Sequence, residues 1–234
     1  MAQTRPDILS NPALRERSII RNVYMWMTAG LALTAVVSYA ASQSDAFLRL
    51  IYGTPGAFLV LIVVEFILVI YLSSRIHKMS AQTAVFAFIG YAFLNGLTLS
   101  VIFLAYTGLT ITQAFFTTAA AFGGMSLYGL TTKKDLSGVG HYLMMGLWGI
   151  IIASVINLFI GSSALYYGIS FIGVAVFMGL TAWDTQVIKR WNDEYGSTMD
   201  ENQYVKLSIM GALKLYLDFI NMFLFLLRIF GRRR

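Results

Sequence analysis

Three acidic side chains stand inside runs that are otherwise almost purely apolar: Glu65, Asp184 and Asp218. An acid near the centre of a bilayer costs at least about 2.5 to 3.5 kcal/mol, so it faces protein or water and is protonated, paired or bound to a cation. Lys214 shares the run of Asp218 and precedes it by one helical turn. With one residue every 100°, Lys214, Asp218, Asn221 and Arg228 fall within an arc of about 80°, which gives that helix one polar side. Two roles are open to these groups. A buried carboxyl can simply hold helices together by a hydrogen bond, and Lys214 with Asp218 can neutralise each other as an i,i+4 pair or let the lysine snorkel to the cytoplasm. Alternatively, two carboxyls from different helices that meet in low dielectric share one proton and titrate as a pair, which makes a proton switch. Deprotonated, the same oxygens suit a hard cation such as calcium, with water or amide oxygens completing the roughly six to eight that calcium prefers.

The elements that must position these groups follow from composition. The chain has 234 residues, 58% hydrophobic and 12% charged, with a mean hydropathy of +0.70, against a charged share of about 25% in soluble domains. It therefore reads as a membrane protein with the lipid bilayer as its main partner. There is no cysteine, which excludes disulfides, thiol nucleophiles and protein-thiolate metal sites. The net charge of +6 lies between apolar runs, as in loops kept on the cytoplasmic side, so nucleic-acid binding is not expected.

About 20 helical residues cross a hydrocarbon core of about 30 Å. Seven runs are long enough: Val23 to Ser42, Gly56 to Ser74, Ala81 to Ala105, Thr112 to Thr131, His141 to Ile160, Leu165 to Ile188 and Leu207 to Phe230. The sequence thus predicts an all-α integral membrane protein, a bundle of seven transmembrane helices. Its polar-striped last helix should be central. A polar cytoplasmic tail covers 1–22, the membrane domain 23–230 and a basic end 231–234. Arg75, His77, Lys78, Lys133, Lys134, Lys189 and Arg190 occupy alternate connections, which places the N-terminus in the cytoplasm. The arginines at the C-terminal end conflict with a seventh crossing, so the last run either translocates them or re-enters. Small residues in the fourth run, including Ala119, Ala120, Ala121, Gly123, Gly124, Ser126 and Gly129, read as a surface for close helix packing. From Lys189, Asp184 lies about 7 to 8 Å along its helix, while Glu65 lies about 15 Å from Arg75.

The stretches Ala182-Trp183-Asp184-Thr185-Gln186 and Leu215-Tyr216-Leu217-Asp218-Phe219-Ile220-Asn221, with the ending Leu226-Leu227-Arg228-Ile229-Phe230-Gly231, resemble the Bax inhibitor-1 family. The connection Tyr128 to Ser137 is similar to that of its bacterial members, and the likeness covers the chain from about Arg21. This resemblance implies a pH-sensitive calcium leak in the bacterial inner membrane. Its proton-sharing aspartates would be Asp184 and Asp218, and Arg75 would help to hold the closed state. It also implies a pathway role for Glu65. Lys214 departs from the small polar residue expected there, and its ammonium could take the place of a cation. Some bacterial relatives modulate a membrane-bound quality-control protease, so a non-conducting regulator is the alternative. An enzyme is not expected: His77 and His141 are the two histidines, no hydrolase or phosphate-loop motif is present, and Asp218 lacks the Gly-x-Gly-Asp context of intramembrane aspartyl proteases. No resident cofactor is expected beyond a calcium ion in transit.

Overall fold

A computed structural model describes residues 12–195 and 199–231. The first eleven residues and the last three arginines, on which the tail and the basic end largely fall, lie outside the described residues. Among the described residues the structure is helical throughout: α1 Pro12–Ser42, α2 Asp45–Gly53, α3 Ala57–Arg75, a 3-10 turn Ile76–Lys78, α4 Ala81–Leu99, α5 Val101–Ala105, α6 Gly108–Thr131, α7 Ser137–Ile160, α8 Ser163–Tyr195 and α9 Glu201–Phe230.

Six of these elements are long and apolar enough to cross a membrane; α4 and α5 count together as one. The uncharged α6 is not among them, since its threonines and glycines dilute its apolar content. The run from Ala81 to Ala105 is interrupted at Ser100, whose N–H and hydroxyl donate to the Leu97 carbonyl at 3.3 and 2.7 Å. Such i−3 bonding tightens the turn where α4 stops.

The chain divides into two compact units, Met1–Val101 with Ile188–Leu213, and Ile102–Val187 with Lys214–Arg234. In the first, α1 begins at Pro12, a position where the missing N–H is no loss, and so reaches well before the expected Val23. It packs chiefly on α4, and the Thr34 hydroxyl donates to the Ala92 carbonyl at 2.8 Å. Ile19, Val23, Ala84, Phe88 and Ala92 fill the core, while α3 turns Leu59, Val63, Phe66 and Ile70 outward as a lipid-facing helix would. The short α2 was not anticipated. Its sequence signal is Ser44, which accepts from the Phe47 N–H at 3.3 Å, followed by Phe47, Leu48 and Ile51 on its inner side.

In the second unit α6 buries a single stripe, Ala114, Thr118, Phe122, Ser126 and Gly129. Phe115 and Phe122 meet Phe219 of α9 edge-on, with ring centroids 5.7 and 5.5 Å apart. Of the small residues expected to pack, Gly129 and Ser126 lie on this stripe. Gly123 and Gly124 point into open space, because their positions in the helical turn fall off it. α7 ends at Gly161, whose φ of 67° is the left-handed conformation that glycine supplies without steric cost.

Candidate functional site

The site is built where α8 and α9 run through the second unit. α9 is the most enclosed of the six apolar helices and α7 the most exposed. Its burial is nevertheless uneven. From Leu213 to Leu227 every residue is buried except Leu217, Asn221, Leu224 and Lys214, which with Arg228 form one half-open line at three- and four-residue spacing. That line is the polar side read from the sequence, with Asp218 turned from its edge into the buried interior at 4% exposure.

The structure pairs Lys214 across helices. Its ammonium donates to Asp184 Oδ1 of α8 at 2.9 Å, with the lysine side chain 35% and the aspartate side chain 9% exposed. The i,i+4 alternative, Lys214 with Asp218, is thereby displaced. Helix spacing offers Asp218, but the carboxylate on the neighbouring helix is the one that takes the hydrogen bond. Asp218 still interacts electrostatically with both Asp184 and Lys214, so the three charges form one cluster. Its Oδ2 is buried with no hydrogen-bond partner. Among the described residues no group of three or more histidines and acids comes together as a metal site, so two carboxylates are the acidic complement here.

Trp183 floors the cluster, with the Lys214 ammonium 5.6 Å from its ring centroid, a cation-π placement. The indole lies directly against Gly140 at the start of α7, where a side chain would strike the ring. Gly129 of α6 abuts the Ala182 carbonyl and Thr185 just beside Asp184. The backbone of α8 is thus held within a residue or two of the acid on both sides.

Gln186 adds a polar clamp. Its Oε1 accepts from the Leu136 N–H and its Nε2 donates to the Lys134 carbonyl, both at 2.8 Å, which fixes the connection between α6 and α7 to α8. Replacing it with leucine strands a buried N–H and a carbonyl, at a cost of about 2 to 3 kcal/mol. The Gln186→Leu variant is expected to melt about 4 to 12 °C lower in detergent, read by thermal unfolding. Trp183 and Gln186 stand in the stretch that carries the resemblance, yet sequence reasoning gave neither a task. Gly140 was missed altogether.

The remaining expected residues are placed as follows. Asn221 donates to the Leu217 carbonyl of its own helix at 2.8 Å, and the Arg228 guanidinium lies 5.5 and 5.3 Å from the Tyr166 and Phe225 ring centroids. Glu65 belongs to the first unit, half-buried on α3, where it accepts a hydrogen bond from the Asn95 amide of α4. Asn95, an amide in the middle of an apolar run, was the available signal for that contact. Arg75 ends α3 in the same unit with an exposed side chain and forms no ion pair among the described residues. α8 continues past Lys189 to Tyr195, so Asp184 lies about 16 Å from the end of its helix, and the shallower figure measured only to the first charged residue.

A family model described as inhibitor of apoptosis-promoting Bax1 matches residues 16–234. The inner membrane protein YbhL of Escherichia coli K12 is 48% identical over 230 residues, covering 98% of each chain. Uncharacterized proteins of Deinococcus radiodurans and Borreliella burgdorferi are 43% identical over 217 residues and 42% over 223, covering 93% and 94% of this chain and 91% and 94% of theirs. With its helical build and six membrane-capable helices, the chain belongs to the Bax inhibitor-1 family and is similar to bacterial members of it.

Proposed function

We propose that the protein is a pH-sensitive cation leak of the bacterial inner membrane, with calcium as cargo and Asp184 and Asp218 as its proton-sharing latch. In this reading α6 supplies a seventh crossing, α9 is the central helix, the N-terminus is cytoplasmic, Glu65 has a pathway role and Arg75 helps to hold the closed state.

The observation that carries it is the charge count of the cluster. Two carboxylates and one ammonium leave a single negative charge when all three are ionised. The ammonium is committed to Asp184 by its hydrogen bond, while Asp218 has a buried oxygen with no partner. A buried carboxylate left in that condition must be neutralised, by a proton or by an arriving cation. The two therefore compete for one place, which makes occupancy by cation depend on pH. The half-open line of α9 beside the cluster carries Lys214, Asn221 and Arg228, which would favour protein or water over lipid.

The test is calcium flux from liposomes carrying the purified full chain, read with a calcium dye across a pH series. Wild type is expected to show a pH-dependent flux, and Asp184→Asn and Asp218→Asn each to flatten that dependence. Unchanged profiles in both variants reject the latch. Absence of flux at every pH, with retained capture of a membrane protease, would replace the leak with the regulatory role.

A further inference from the structure

We infer that the Lys214 ammonium is a tethered cation, seated where an external divalent ion would bind Asp184 and Asp218, and that calcium binds the pair only by displacing it. This rests on the reading of the pair as a cation site and specifies what that site admits.

The geometry is that of an occupied seat. The ammonium donates to Asp184 Oδ1 at 2.9 Å, and its charge also acts on Asp218, one turn further along α9, whose buried Oδ2 has no hydrogen-bond partner. The Trp183 ring centroid lies 5.6 Å from the same nitrogen, a second attraction that favours a compact cation at this point. Two carboxylates offer four oxygens at most, fewer than the roughly six to eight of a calcium shell, and one oxygen here is already engaged. A free ion would therefore have to recruit water and also expel a covalently held competitor. Lys214 can be expelled, because it stands on the half-open line of α9 with its side chain 35% exposed. The lysine thus sets a threshold against divalents without closing the site to protons.

The experiment uses the full chain in detergent. Calcium chloride is titrated against the thermal midpoint, and terbium, excited through tryptophan, reports occupancy next to Trp183. Lys214→Met and Lys214→Gln remove the charge by two different shapes, and Lys214→Arg keeps it. Wild type and Lys214→Arg are expected to show no calcium-dependent rise in midpoint. Lys214→Met and Lys214→Gln are expected to gain one and to bind terbium at least about tenfold more tightly, since a like charge at contact distance has gone. Adding Asp184→Asn should abolish the gain. Tight terbium binding by wild type that Asp184→Asn removes overturns the inference, and so does a calcium response equal in wild type and the uncharged variants. Binding is read separately from flux. Tighter binding in Lys214→Met without any wild-type flux would sink the leak and keep the tethered cation, whereas pH-dependent wild-type flux without that gain would do the reverse.

Discussion

Replacing Gly129 with valine is expected to leave little folded protein in detergent, and Gly129→Ala to lower the thermal midpoint by about 2 to 12 °C. A Cβ at this position meets the Ala182 carbonyl oxygen at once, with the carbonyl carbon at 3.1 Å and Thr185 Cβ at 3.0 Å. These neighbours are largely backbone and cannot swing aside as the tip of a side chain can. The two helices would have to part, and overpacking of that kind typically costs about 1 to 3 kcal/mol even for small additions. In a protein of this size each kcal/mol moves the midpoint by about 2 to 4 °C. Because Thr185 follows Asp184, the displacement also reaches the acid, so under the proposed leak function the pH profile of flux should change along with stability. Gly123→Ala is the control. Nothing lies within 4 Å of a Cβ there, and alanine is the better helix former, so its midpoint should stay level or rise.

The second large effect concerns the ion pair. Lys214→Met leaves Asp184 enclosed without its ammonium, and removing one partner of a fully buried pair costs about 3 to 5 kcal/mol. Here the lysine is one-third exposed, which reduces the expected loss to about 1 to 3 kcal/mol. Asp184→Asn in the same background removes the stranded charge and should recover most of the loss. Denaturant unfolding of wild type, both single variants and the double variant, in the presence of a chelator, gives the coupling directly. Simple additivity of the two single changes would mean that the contact has no energetic weight.

Much of the site was legible because a charge in an apolar run is conspicuous whatever the tertiary structure. Asp184, Asp218, Glu65 and Lys214 were all found in that way. The helical period also gave the polar line of α9, since it depends on nothing outside that helix. What periodicity does not contain is the rotation of one helix against the next. Lys214 was equally placed for Asp218 within its helix and for an acid on a neighbour, and only the packing of α8 against α9 decides for Asp184. The same limit applies to α6, where seven small residues looked interchangeable although a single stripe is buried. Trp183 and Gly140 escaped notice for a related reason. A tryptophan near a segment end suits an interface anchor, and its contact with a glycine from α7 exists only once the chain is folded.

The two hydrogen bonds of Gln186 couple Asp184, two residues away, to the pair Lys133 and Lys134. A roll of α8 that carries the carboxylate off its ammonium must drag this basic hairpin along or tear it loose. An event in the interior is thereby written onto an exposed connection, where a fluorophore on Lys133 would report it and where an approaching macromolecule could push back on the acid.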